Sequence, residues 1–288
     1  MIHIQVIFLV QISVNIYRFD LKGLIMIKTK QFIKKLIPTF LYVYSVSLDF
    51  IRKEGIFLNR IKPEEFRQWN ELMVKKYDPD AFHKHPNPFV RFIERKRVKT
   101  IIKLLKTNKD DRVIEVGCGA GNVIKDVTEG KLFGVDISSF ILGKANQKLK
   151  GVVHFFQADV QNLPCKDEIF THIICSEVLE HLLDPLIAIH EMKRTLDFNG
   201  VAVISIPNEI WINRTKRILI KIGIFNWLLR RKAEYGEMPE RMEDEWHLHT
   251  YTLKMWRSLF AKSFKVTRVK RIPFFWFPLR YVIRLKKN

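Results

Sequence analysis

The sequence predicts an α/β fold built on a mostly parallel sheet with helices on both faces, and three observations carry that expectation. Val113-Ile114-Glu115-Val116 is a short, largely aliphatic run that flows into Gly117-Cys118-Gly119-Ala120-Gly121-Asn122, the pattern of a strand ending in a glycine turn. Leu132-Phe133-Gly134-Val135-Asp136 reads as a second buried strand that closes on a carboxylate. Beyond them strand-like and helix-like segments alternate, with strands expected at 113–116, 131–136, 152–157, 170–175 and 200–206. Alternation of this kind implies parallel strands joined by crossover helices, with ligands at the carboxyl ends of the strands.

The glycine loop carries the chemistry. Glycines at alternate positions let the backbone turn sharply and approach a ligand with no Cβ in the way. Asp136 is placed to accept hydrogen bonds from ribose hydroxyls, so loop and carboxylate together form a cradle for a nucleotide-like cofactor. A dinucleotide fingerprint requires G-x-G-x-x-G, but here the third glycine arrives one residue early and Asn122 takes its place. With Glu115 just ahead of the loop, the stretch instead resembles the first motif of class I S-adenosylmethionine-dependent methyltransferases. That cofactor has no pyrophosphate for a helix N-terminus to hold, and a carboxylate suits its cationic methionine end. The resemblance implies a Rossmann-like sheet of seven strands whose last pairing is antiparallel. It also implies a cofactor site made of Glu115, Gly117, Cys118, Gly119, Gly121, Asp136, Ile137, Asp159, Val160 and Ser176. Within it Asp159 would bond the adenine amino group and Val160 would pack on the ring; taken alone, Asp159 reads as a turn or helix cap.

At 288 residues and 47% hydrophobic, the chain has length for one full α/β domain with extensions. A formal charge of +20 is extreme for an enzyme of small molecules and points to anionic surroundings, either nucleic acid or an acidic membrane face. Cys118, Cys165 and Cys175 have neither metal-ligand spacing nor an even-numbered framework, which fits a reducing cytoplasm.

The first ten residues are apolar but broken by His3 and Gln5, shorter than the ~20 residues of a spanning helix and without a signal-peptide leader. Met26 offers a second start, so residues 1–25 read as an over-extended beginning. Lys28, Lys30, Lys34 and Lys35 then precede the apolar stretch 36–44, either an interfacial anchor or a helix packed on the domain. Residues 1–85 are accordingly expected to form a helical, membrane-associating extension, and 86–288 the catalytic domain. Asn87-Pro88 reads as an N-cap with proline in the first turn, opening a helix to about Leu105 with Ile93, Val98, Ile101, Ile102 and Leu105 as its apolar stripe. By resemblance that helix helps cover the cofactor and brings Tyr77 to His85 near the site's mouth.

On the acceptor side, residues 173–176 end a strand that flows into Glu177-Val178-Leu179-Glu180-His181. Read as a helix, Glu177, Glu180 and His181 fall at i, i+3 and i+4 on one face. The segment resembles the E-V-x-E-H stretch of the ubiquinone-biosynthesis O-methyltransferases. That resemblance implies a divalent cation such as Mg²⁺ on Glu177, Glu180 and His181, able to lower the pKa of an acceptor hydroxyl. The alternative gives His181 a plain polar role, orienting the substrate. Asp197-Phe198-Asn199-Gly200 reads as a turn ahead of the next strand.

The following insertion, 209–246, places Arg214, Arg217 and Lys221 on one helical face and Ile218, Ile222, Phe225 and Leu229 on another. It reads as an interfacial helix or as a lid over the site. Glu240 to Glu245 is expected to be a solvated turn. Trp246-His247-Leu248-His249 resembles the family's histidine stretch before a helix, so His247 and His249 join His181 as candidate catalytic groups for removing an acceptor proton. Residues 264–271 and 274–283 are expected to make a terminal hairpin rich in Arg, Lys and aromatics. The function these features imply is O-methylation of a lipidic small molecule by a cytoplasmic enzyme, peripheral on an anionic membrane. An RNA methyltransferase is the rival enzyme, and a non-catalytic, cofactor-binding membrane adaptor is the rival outside enzymes.

Overall fold

The computed structural model describes residues 61–224 and 246–288. The chain divides into two compact units, Met1–Ile56 and Phe57–Asn288, and the described residues belong to the second. The expectations for residues 1–25, for the basic-apolar stretch 28–51, and for Phe225, Trp227, Leu229 and the acidic run Glu240 to Glu245 lie outside the described residues.

Seven strands form one sheet: β1 Arg112–Val116, β2 Lys131–Asp136, β3 Val153–Gln157, β4 Phe170–Ser176, β5 Leu196–Pro207, β6 Phe264–Pro273 and β7 Pro278–Lys287. Their spatial order is β3-β2-β1-β4-β5-β7-β6. Neighbours among β1 to β5 run parallel, while β7 lies antiparallel to both β5 and β6. Strand order reverses between β1 and β4, so the glycine loop leaves β1 at the switch point, where doubly wound sheets hold ligands.

The helices are α1 Phe66–Tyr77, α2 Pro79–His83, α3 Pro88–Leu105, α4 Ser139–Leu149, α5 Pro185–Thr195, α6 Glu209–Lys221 and α7 Leu253–Ala261. Because side chains alternate along a strand, the sheet feeds two cores. Ile114, Ile173, Ala202 and Ile204 pack with Ile189 and Met192 of α5 and Trp256 and Phe260 of α7 on one side. Val113, Ile174, Val203 and Val282 pack with Ile101 and Leu105 of α3 on the other. Each Val, Ile, Leu, Met or Phe among them, fully buried, contributes roughly 1.5–3 kcal/mol. The start of α3 is as expected: Asn87 Oδ1 accepts from Phe89 N–H at 2.8 Å and Pro88 fills the first turn.

Four expectations change. Residues 177–181 are not a helix, because Glu177 sits at φ +56° and only Leu179–His181 form a 3₁₀ turn. The helix begins later, where Asp184 Oδ1 caps Leu186 N–H at 2.8 Å and Pro185 excludes a helical residue before it. Asp197–Gly200 does not turn ahead of the strand; it loops out inside β5, where three residues of β4, Phe170 to His172, face the six from Leu196 to Val201. Phe274 to Phe277 form the hairpin tip instead of strand, bounded by Pro273 and Pro278, which cannot donate to a ladder. Finally, residues 61–85 belong to the same compact unit as the sheet, with Phe66 inside its main core, so that unit begins well before residue 86.

Candidate active site

A cavity of about 360 Å³ opens at the carboxyl ends of the strands and runs from the glycine loop to the 181 and 247 histidines. Gly117, Cys118 and Gly119 line it. Gly117 holds φ +66°, and a Cβ there would meet the Val178 side chain at 2.4 Å. A Cβ on Gly119 would meet nothing within 4 Å, so this backbone faces open space. Gly121 does not line the cavity: at φ +72° its missing Cβ makes room for Leu149 of α4, a packing role. Asp136 Oδ2 accepts from Gly119 N–H at 2.8 Å and Oδ1 from Ser138 N–H at 3.0 Å. Burial raises its carboxyl above the usual range, against those amides.

Glu115 also lines the cavity, and its Oε2 accepts from Ile124 N–H at 3.0 Å. Burial pushes it up to about 8, opposed by that amide and by the charge of Arg97. Ile137, Asp159, Val160 and Ser176 complete this end. Asp159 lines the cavity and is also a turn cap, accepting from Gln161 N–H at 2.8 Å. The open cradle at Gly119, two buried carboxylates and an apolar wall fit adenosylmethionine.

Residues ahead of the sheet close over this end, with Tyr77, Pro79, His83 and His85 on the lining. Asn122 Nδ2 donates to Asp80 Oδ1 at 3.1 Å, and Lys84 and Lys148 hold the same carboxylate, which ties α2 to the loop and to α4. Tyr77 stacks on Trp246 with ring centroids 5.5 Å apart.

The opposite end collects histidines and acids distant in sequence. Leu248 and His249 N–H groups donate to the Glu180 carbonyl at 2.8 and 3.2 Å, which sets His247 beside His181 with ring centroids 4.7 Å apart. His247 Nδ1 pairs with Glu209 Oε1 at 2.6 Å. Burial alone would raise the Glu209 carboxyl, but its hydrogen bond with His247 and nearby positive charge bring it below the usual range. His181 Nδ1 meets the Trp246 carbonyl at 3.3 Å, and burial with the neighbouring His247 drives its imidazole well below the usual histidine value, so it is neutral. Glu180 is pushed well up by burial and by the Glu177 and Glu209 charges.

Two expectations change here. His249 is buried off the cavity, with Nε2 meeting the Leu182 carbonyl at 2.8 Å, and it anchors the loop that carries His247. Glu177 reaches the cavity but turns toward Arg280, with Oε2 2.6 Å from Nε. Among the described residues, the cluster with metal-ligand geometry is Glu180, His181 and His247, whose donor atoms lie within 4.8 Å of one another. Glu180 Oε2 has no hydrogen-bond partner there although buried, so a cation fits this set better than the one expected.

Sequence reasoning missed Glu94, Arg97, Glu209 and Arg280. Arg97 Nη2 pairs with Glu94 at 2.6 Å, and Nη1 donates to Ser176 and Ser205; Glu94, Arg97 and Ser176 line the cavity. Its signal was legible: an acid and an arginine at i, i+3 on the otherwise apolar stripe of α3. Glu209 opens the helix just past the carboxyl end of β5, the edge where α/β sheets place their sites.

Comparison with known proteins agrees with this geometry. Residues 114–204 match the methyltransferase domain family. A ubiquinone biosynthesis O-methyltransferase of Rickettsia prowazekii is 26% identical over 164 residues, covering 51% of this chain and 62% of that protein. An uncharacterised protein of Methanocaldococcus jannaschii is 27% identical over 170 residues, 59% of this chain and 64% of the relative. The matches thus span less than two thirds of these curated relatives. Among solved structures, a SAM-dependent methyltransferase of Thermotoga maritima, titled a possible histamine N-methyltransferase, superposes with a TM-score of 0.53 at 18% identity, covering 77% of this chain and all of that one (100%). Residues 114–204 are thus similar to the methyltransferase domain family, and the seven-stranded sheet shares its fold with that Thermotoga maritima protein.

Proposed function

We propose that this protein methylates a hydroxyl on a lipidic or membrane-associated small molecule, using S-adenosylmethionine, at the cytoplasmic face of a membrane. The observation that carries this reading is that one cavity joins the glycine loop to the His247–Glu209 pair. Adenosylmethionine, when bound, supplies a methyl activated by its sulfonium charge. Glu115, Gly117, Cys118, Gly119, Asp136, Ile137, Asp159, Val160 and Ser176 are the residues that would hold it.

The chain's own contribution is alignment and proton removal. Glu209 fixes His247 with its proton on Nδ1, which leaves Nε2 to accept the acceptor's proton and steadies the imidazolium that results. His181, kept neutral by burial, lines the same chamber and can hold the acceptor oxygen. The unpartnered Glu180 Oε2 favours a second reading, in which Glu180, His181 and His247 hold a divalent cation that acidifies the hydroxyl.

The test is transfer of labelled methyl from adenosylmethionine into membrane lipid extracts, with total RNA offered in parallel and with chelator added or withheld. Label in the organic phase supports the reading, and loss of turnover on chelation selects the cation. Label in RNA sinks the lipid acceptor. Tight cofactor binding with no labelled product in any fraction would favour the non-catalytic adaptor.

A further inference from the structure

We propose that the tip of the β6–β7 hairpin, with the start of α3 and one side of α6, forms an aromatic face that docks this protein on an anionic bilayer. The proposal rests on the reading of a lipidic acceptor but is carried by a surface outside the cavity. Phe275 is 78% exposed and Trp276 61%, at a tip held rigid by Pro273 and Pro278 and by stacking of Phe274 on Trp276 at 5.1 Å. Phe92 lies 6.1 Å from Phe274, Phe89 lies 6.4 Å from Phe92, and both are exposed. On the far side Phe277 meets Trp211 of α6 edge-on at 5.7 Å. Trp211, Ile218 and Ile222 recur at i, i+7 and i+11, so the exposed isoleucines extend the patch along that helix.

A patch of exposed aromatics on one surface marks an interaction site, and the surrounding charge says with what. The acids of α3 and α6 are Glu94 and Glu209, both buried and turned to the cavity, and no acid follows Glu245 in the sequence. What these three elements offer outward is therefore cationic: Arg95, Lys96, Arg214, Arg217 and Arg271. Lys96 Nζ lies 4.7 Å from the Phe274 ring centre, a cation set directly on the aromatic cluster. Aromatic rings seated at the headgroup level with cations against anionic lipid is the chemistry of a bilayer interface.

The geometry also gives the face a purpose. Val90 and Glu94 of α3, Ile212 and Lys216 of α6, and Arg280 of β7 line the cavity, so the elements that would touch the bilayer on one side bound the acceptor chamber on the other. An acceptor dissolved in lipid would then reach the histidines without crossing water. Among the described residues no helix is long and apolar enough to cross a membrane, so docking rather than spanning is the mode they offer.

The experiment is co-sedimentation of the full chain with vesicles of phosphatidylcholine alone and of phosphatidylcholine with phosphatidylglycerol. It is run without acceptor, across salt, for wild type and for F275S/W276S. Both side chains are solvent-facing, so the variant is expected to keep its thermal transition and its adenosylmethionine affinity. Supporting results are salt-sensitive binding to the anionic vesicles, at least tenfold weaker in the variant, and quenching of wild-type tryptophan fluorescence by brominated lipid that the variant largely loses. The proposal is overturned by no preference for anionic vesicles, by unchanged vesicle binding in the variant, or by a variant whose sole defect is loss of RNA binding or of self-association. Because acceptor and turnover play no part, failure here leaves the methyl-transfer reading to its own assay.

Discussion

At the scale of single residues, the chemistry depends on where burial places charge. His247 is held at 2.6 Å by Glu209 and faces the cavity, so His247→Ala is expected to lower kcat about 10²–10⁴-fold with adenosylmethionine affinity little changed. Glu209→Gln should give a smaller loss and an altered pH profile, because the tautomer is less firmly held; kinetics beside equilibrium binding of the cofactor checks both. His249→Ala should instead lower the melting temperature, since His249 anchors a loop and lies off the cavity.

Glu115 gives a pH-dependent prediction. Its native pKa of about 8 lies above the ordinary 4.5, so the folded state keeps a proton that the unfolded chain releases. That contribution is fully present below 4.5 and is lost as pH rises through 8. Thermal unfolding from about pH 5 to pH 8 should therefore show wild type losing stability relative to Glu115→Gln. Parallel curves would mean that the carboxylate is already ionised in the apo protein.

At the scale of elements, a few positions decide whether a segment forms and where it ends. Gly117→Ala forces a side chain into a left-handed backbone and against Val178 at 2.4 Å. It should abolish cofactor binding and cost at least ~1–3 kcal/mol of stability, measured by denaturant unfolding. Asn87→Ala removes the cap of α3 and should cost ~1 kcal/mol while leaving chemistry intact.

The same elements show what sequence could and could not carry. The cap, proline and apolar stripe of α3 are local signals, and the aliphatic runs of β1 to β5 need only a buried sheet to become strands. The segment 177–181 misled because helical spacing is a possibility open to any five residues, whereas Pro185 and the bond from Glu177 N–H to the Ser205 carbonyl decided its shape. Residues 274–283 carried the right composition for a strand, but the two prolines displaced the pairing toward the C-terminus.

For the whole molecule, the glycine-loop end of the cavity was legible because its residues sit in one contiguous loop and at the ends of adjacent strands. The acceptor end was half legible. His181 and His247 stood out as residue types, but their meeting depends on a loop bonded to the Glu180 carbonyl from far along the chain. The Arg280–Glu177 pair likewise exists only once β7 closes on the sheet. With a formal charge of +20, the proposed activity at an anionic bilayer should fall as salt rises, while methylation of a detergent-solubilised acceptor should not.

The central claim is that the cavity beside the glycine loop holds adenosylmethionine. Isothermal titration of the purified full chain with that compound, and in parallel with NAD, tests it most directly. Saturable one-to-one binding of adenosylmethionine, at least tenfold weaker in Asp136→Ala and without comparable NAD binding, is the expected result. Binding of NAD in its place, or adenosylmethionine binding that is indifferent to Asp136, would contradict it.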